Sequence, residues 1–369
     1  MLYNRRLWLQ QSFTALTGMA LSADVAAMPK FSFTPSPSVI LLNSNENPYG
    51  PSPMAQKAIL EYYTKSNRYP DDYLGLLQKK IATHWRVGAE NILLGAGSSE
   101  IIGLAALHVS KKKKKIVTAE PGYKVWNGQA AYFGLEFERI SLTNERKTDL
   151  PAMLAAIDAT TAMVYICNPN NPTGTFVEVT QLKNFAVEAA KKTMVFIDEA
   201  YTEYAGLESL ATLAVRNPNI VVAKTFSKIY GLAGARVGYA IAHPDSIQQL
   251  SNYQPWPNAA ISIVSAAAAF ASLDDIKYVQ NILTKTAEAR VICTKTFQQL
   301  ALDFIPSQTN FILFNIDSIK KDLIKEMEAK NIYVQSRQHF NGKWCRVTMG
   351  TLEEMKIFCS ALNEIAYNG

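Results

Sequence analysis

TMVFIDEA, residues 193 to 200, is an apolar run of strand length that ends abruptly on two acids. Bulky apolar side chains without polar alternation are the pattern of a strand covered on both faces, as in a parallel sheet. Asp198, at the end of that run, reads on its own as a cap for the next helix. Working outward, runs of the same kind occur at NILLGAG (91 to 97), KIVTAEP (115 to 121), AMVYICNP (162 to 169), NIVVAKTF (219 to 226) and RVGYAIA (236 to 242). Helical patterns such as VTQLKNFAVEAAKK (179 to 192) lie between several of them. The alternation predicts an α/β fold, with a mostly parallel sheet between layers of helix over residues 61–257. Beyond Pro257 the pattern changes to long helical stretches followed by TNFILFNI and WCRVTMG, which predicts a smaller α+β domain over 258–369. FSFTPSPSV (31 to 39) is rich in Pro and Ser and opens an extended arm, residues 29–60.

With 369 residues, 48% of them hydrophobic and 18% charged, the chain is long enough to bury more than one core. Its net charge of +6 is spread thinly. The KKKKK run at 111–115 has no interleaved aromatics and reads as a solvated loop, so no nucleic-acid partner is expected. Cys167, Cys293, Cys345 and Cys359 lack the spacing of a metal site or a disulfide framework and read as packing residues. Residues 1–28 have the layout of an export signal: Arg5 and Arg6, then FTALTGMALSA, then the small-residue run ADVAAM. The apolar part is too short to span a membrane. The arginine pair followed by Leu7, Trp8 and Leu9 resembles a twin-arginine signal, which predicts an exported or periplasmic protein. A basic amphipathic start to a cytoplasmic protein is the alternative.

Polar residues gather where the strand-like runs end, which is where ligands bind in open α/β sheets. GAGSSE (95 to 100) ends a strand and opens a helix, so Gly97, Ser98 and Ser99 present free backbone N–H groups suited to a phosphate. TFSKIYGLAGARVG (225 to 238) adds the hydroxyls of Thr225 and Ser227 and the planar fork of Arg236. It also places Lys228 among small and apolar residues. NPNNPTG (168 to 174) offers the amide of Asn171 to a phenolic oxygen, and Tyr201 follows Asp198 by three residues. Together the parts ask for a ligand with a phosphate, a ring nitrogen wanting a carboxylate partner, a phenolic oxygen and a carbonyl that condenses with a lysine. Pyridoxal 5'-phosphate has all four. Lowering a lysine from about 10.4 by about three units takes roughly 4 kcal/mol, within reach of a desolvated, cationic pocket.

NENPYGPSP (45 to 53), NRYPD (67 to 71), GAGSSE, EPGY (120 to 123), NPNNPTG, IDEAYTEY (197 to 204), TFSKIYGLAGARVGY (225 to 239) and CRVTMGT (345 to 351) together resemble the pyridoxal-phosphate aminotransferases of fold type I. Within them the match is nearest to the histidinol-phosphate aminotransferases, and it runs in order from residue 40 to the end. The resemblance implies that Lys228 bonds the cofactor and then moves the substrate proton, and that Asp198 keeps the ring nitrogen protonated. It assigns Tyr201 and Asn171 to the phenolic oxygen and Tyr123 to the ring face. Ser98, Ser99, Thr225, Ser227 and Arg236 fall to the phosphate. Tyr69 would reach the phosphate of a second subunit, which implies a homodimer.

By the same resemblance Arg346, Arg337, Asn47 and Tyr49 touch the substrate. Where those enzymes place an additional arginine before the one matched by Arg346, VQSR (334 to 337) has Gln335, with Arg337 two residues on. One bidentate charge-assisted contact is worth on the order of 1.5 to 3 kcal/mol. The amino donor is therefore open between histidinol phosphate and an amino acid with a free carboxylate, a 2-oxo acid being the acceptor. Trp126, Tyr253 and Trp256 are candidates for the side-chain pocket or plain core. A decarboxylase or lyase of the same fold would use Lys228 and Asp198 alike. A non-catalytic exported binding module would be expected to have lost Lys228 or to have a broken phosphate cup.

Overall fold

The computed structural model describes residues 39–111, 114–258 and 261–367. The signal expected at 1–28 and the first part of the arm lie outside the described residues. The chain enters through a short strand, β1 (Ile40–Leu41), and then builds β2 (Ile92–Gly95), β3 (Lys115–Glu120), β4 (Glu136–Ser141), β5 (Thr161–Cys167), β6 (Met194–Asp198), β7 (Ile220–Thr225) and β8 (Gly238–Ala242). β2 to β8 form one seven-stranded sheet in the order β2-β8-β7-β6-β5-β3-β4. Neighbours from β7 to β4 pair in parallel, whereas β8 runs antiparallel to both β7 and β2. The reversal has a local cause: residues 226–237 contain no helix to carry the chain back across the sheet, and a parallel return needs one. β4, with its exposed and charged EFERIS sequence, is an edge strand that the apolar-run criterion passes over.

The reversal positions the site. Gly238 at the start of β8 pairs with Thr225 at the end of β7 and with Gly95 at the end of β2. The loops after β2, β5, β6 and β7 therefore open at the same edge of the sheet. Closeness there is backbone to backbone, since a Cβ on Gly238 would lie 2.4 Å from the Ser98 nitrogen.

The remaining strands are β9 (Phe304–Ile305), β10 (Phe311–Asn315), β11 (Ile332–Tyr333), β12 (Gln335–His339) and β13 (Gly342–Thr348). A four-stranded antiparallel sheet has the order β12-β13-β10-β9, and β1 pairs in parallel with β11. Phe297, Phe314 and Phe358 centre a second core, distinct from the one around the large sheet. The helix Ile276–Gln299, about 36 Å long at 1.5 Å per residue, serves both cores. Ile282 packs in the first, and Ala289, Cys293 and Phe297 pack in the second. The helix Ile263–Ser272, which the sequence reading groups with the small domain, instead buries Ala266, Ala268 and Ala269 in the first core. Its small residues allow close contact with the helices Pro53–Tyr62 and Asp71–Trp85.

Candidate active site

A cavity of about 850 Å³ opens where the sheet loops converge. On its floor lies Asp198, 3% exposed, at the end of β6. Its Oδ1 accepts from the Ala200 N–H at 3.1 Å, a turn contact two residues on and not a helix cap, since the next helix starts after Tyr201 with no side-chain cap, and its Oδ2 accepts from the Tyr165 hydroxyl at 2.9 Å. Burial pushes the carboxyl up to about 6, while the Tyr165 and Ala200 hydrogen bonds and the Lys228 charge pull the other way.

Lys228 follows β7 and enters the same cavity, its Nζ donating to the Ser44 carbonyl at 3.1 Å. Burial lowers its ammonium to about 8, and the guanidinium of Arg346 adds to the effect. Such a lysine is a partly free amine near neutral pH. Tyr201 is buried with its hydroxyl accepting from Asn45 Nδ2 at 3.0 Å and Asn171 Nδ2 at 3.3 Å. Tyr123 also lines the cavity, its phenol pushed up to about 12 by burial and by the nearby Asp198 charge.

At one end the helix Ser98–Ser110 points its free first-turn N–H groups into the cavity mouth. Arg236 bridges this end, donating through Nη1 to Ser227 Oγ at 3.3 Å and through Nη2 to the Ala96 carbonyl at 3.3 Å. Thr225 Oγ1 donates to Ser227 Oγ at 2.9 Å. At the other end Arg346 on β13 donates Nη1 to Asn171 Oδ1 at 2.9 Å and Nη2 to the Asn43 carbonyl at 2.7 Å.

Residues 37–362 match the family model described as aminotransferase class I and II. The chain belongs to this family. It is thus a pyridoxal-phosphate-dependent aminotransferase of fold type I. The histidinol-phosphate aminotransferase of Moorella thermoacetica is 35% identical over 332 residues, 89% of this chain and 85% of that protein. That of Halalkalibacterium halodurans is 34% identical, covering 89% of each. The solved structure of histidinol-phosphate aminotransferase from Sinorhizobium meliloti in complex with pyridoxal-5'-phosphate superposes with a TM-score of 0.82 at 26% identity, over 93% of this chain and 99% of that one.

This aminotransferase's own residues fit that cofactor. Gly97, at φ 77°, leaves a concavity in which a Cβ would come within 2.4 Å of Arg236 Nη2. A space bounded by a guanidinium and a helix start suits a phosphate. Asp198 can pair with the ring nitrogen, the Asn171 and Tyr201 groups with the phenolic oxygen, and Lys228 with the aldehyde. When bound, the cofactor supplies an electron sink for the bonds at the donor's Cα.

Of the residues expected from sequence, the cavity brings together Ser98, Ser99, Tyr123, Asn171, Asp198 and Tyr201. Thr225, Ser227, Lys228, Arg236, Arg337 and Arg346 line it as well. Asn47 and Tyr49 do not line it. The turn closed by Gly50 N–H on the Asn47 carbonyl carries them away, and Asn47 Nδ2 instead donates to the Ile229 carbonyl and the Tyr278 hydroxyl. Tyr49 lies under the Lys285 ammonium. Tyr69 is 79% exposed and packs against Trp256 in a tilted arrangement with ring centroids 4.9 Å apart, outside the cavity of its own chain. Trp126 is core against Tyr165 and Phe137, and Tyr253 packs on His108, so neither shapes the cavity.

Two functional contacts escaped the sequence reading. Asn45, not Asn47, is the member of NENPYG that reaches Tyr201, because Asn45 adopts a left-handed conformation, φ 54°. Asn tolerates that conformation better than most residues, but two asparagines in one string offered no way to choose. Tyr165 gave a usable signal: a polar tip within the otherwise apolar AMVYIC.

Proposed function

We propose that this aminotransferase accepts an amino donor with an anionic group at the Arg346 end of the cavity and passes the amino group to a 2-oxo acid by double displacement. Histidinol phosphate is the first donor to consider, because both sequence relatives are named for it. The observation that carries the reading is Arg346. Its guanidinium is largely buried, and among the described residues its Nε–H has no hydrogen-bond partner and no carboxylate is paired with it. A buried cation without a counter-ion is costly, and an anionic substrate group relieves it. Lys228 faces the same space and supplies the base that holds or moves the Cα proton.

A carboxylate-bearing amino acid is the second reading. It is favoured by Gln335, which stands directly across from Arg346 in the β12–β13 register where a further arginine would help neutralise a dianion. Arg337 pairs opposite Trp344, one step along the same face. Mixing the coloured holoenzyme with histidinol phosphate or with single amino acids, and following loss of the visible cofactor band, separates the readings. Conversion by histidinol phosphate alone supports the first. Conversion only by carboxylate-bearing amino acids moves the assignment to the second, and a protein that stays colourless with added cofactor removes both.

We further propose that the active unit is a homodimer completed by Tyr69, and that Arg5 and Arg6 direct export. Among the described residues no helix is long and apolar enough to cross a membrane. A reporter fused to residues 1–30 that is exported only while Arg5 and Arg6 are intact, and not after R5K/R6K, supports the twin-arginine route.

A further inference from the structure

Tyr165 projects from β5 on the face that it shares with Asp198. The parallel register sets Tyr165 opposite Phe196 and Cys167 opposite Asp198, so the phenol lies one step below the carboxylate and leans along the strand towards it. Its hydroxyl donates to Asp198 Oδ2 at 2.9 Å. The ring is 1% exposed and clamped, with Trp126 at 4.9 Å on one side and Phe196 stacked at 5.9 Å with an interplanar angle of 22°. A buried hydroxyl in that aromatic layer is unfavourable unless bonded, and a phenylalanine would fill the same volume.

We propose that Tyr165 is a positioning residue of the transamination site, holding Asp198 as an oriented carboxylate so that the ring nitrogen of the bound cofactor keeps its proton. The consequence for catalysis rests on the cofactor reading above, whereas the carboxylate effect belongs to the protein alone. Two donors, the Tyr165 hydroxyl and the Ala200 N–H, face Asp198, one on each oxygen, and both favour the ionised form. The other titratable groups around it are Cys167 from β5, Tyr123 from the loop after β3, Glu199 and Tyr201 from its own segment, and Lys228 from the loop after β7. Burial keeps the Tyr165 phenol neutral, its ionisation pushed well above 10, so it remains a donor throughout the working pH range. Lys228 also favours the carboxylate, but in the holoenzyme its amine is engaged by the cofactor, which leaves Tyr165 and the Ala200 N–H to do so.

The test is a titration that needs no turnover. Carboxyl-¹³C aspartate labelling of the apo-protein, with the Asp198 resonance assigned by its loss in Asp198→Asn, follows ionisation in wild type and Tyr165→Phe. The variant is expected to raise the Asp198 midpoint by about one pH unit or more, tenfold in proton affinity, the size of a lost hydrogen bond to a charged group. 3-Fluorotyrosine in place of Tyr165, a stronger donor of nearly the same size, is expected to move the midpoint down, and it keeps the test open if the phenylalanine variant fails to fold. In the holoenzyme the acid limb of the kcat pH profile moves in the same direction as the midpoint. A midpoint unmoved in both variants, in a protein that still takes up cofactor and shows its colour, overturns the inference and leaves the transaminase reading standing. A colourless wild type overturns that reading instead.

Discussion

Lys228 and Asp198 carry opposite perturbations from the same cause. Removal from water penalises whichever form is charged, so the lysine falls to about 8 and the aspartate rises to about 6. Because the neutral amine attacks an aldehyde, cofactor uptake by the apo-protein is expected to accelerate as pH rises through about 8 and then level, whereas an ordinary lysine would keep gaining to about 10.4. Stopped-flow absorbance across pH 6 to 10 checks this, and continued acceleration beyond pH 9 would show an unperturbed amine. Stability has a definite sign as well. The folded ammonium holds its proton more weakly than the unfolded one, so the apo-protein gains stability as pH climbs from about 8 towards about 10.4, and Lys228→Met removes that gain. The chemistry of these residues was legible in the sequence because each follows an apolar strand and has no packing reason to be there. What was not legible was which of several equivalent neighbours points inward. That depends on backbone signs such as φ 54° at Asn45, which composition does not encode.

At the scale of strands, the alternation of apolar runs and helices is readable because a strand buried on both faces must be continuously apolar. The edge strand β4 has no such need and left no comparable trace. A lysine inside β7 shows what pattern reading passes over. Lys224 precedes Thr225, so it emerges on the opposite face of the sheet from the phosphate end of the site. There it is 2% exposed, 2.9 Å from Glu203 and 3.3 Å from Glu199, and 4.7 Å from the Trp85 ring centroid. Burial opposes its charge, but the two carboxylates outweigh that and hold the ammonium above its ordinary range. Glu199 adjoins Asp198 and also accepts from the Leu210 N–H at 2.8 Å, so the cluster anchors the ends of β6 and β7 next to Asp198. Lys224→Met is expected to cost about 3–5 kcal/mol by stranding Glu199 in the interior, read from the denaturant midpoint. Adding Glu199→Gln and Glu203→Gln is expected to recover most of it. A loss below about 1 kcal/mol for the single variant would show that the cluster contributes little beyond its volume.

Over the whole molecule, one expected contact has no place within a single chain. Tyr69 stands 79% exposed beside the 43% exposed Trp256, and Leu60 and Tyr63 nearby in sequence are 70% and 60% exposed. Exposed aromatic side chains packed together, as Tyr69 and Trp256 are, mark an interface more often than a free face. If each Tyr69 serves the partner's phosphate end, a two-fold pair holds two sites, each built from both chains. Lys228→Ala supplies no amine, and Tyr69→Phe weakens cofactor binding, so each variant alone is expected to be inactive or nearly so at limiting cofactor. Mixed and allowed to exchange, half the dimers are heterodimers. In these, one site carries both lesions and the other carries neither, which restores about a quarter of wild-type activity. A Tyr69 acting within its own chain predicts something different. Every site in the mixture would then carry one lesion, and exchange, verified by mass-tagged subunits, would restore nothing.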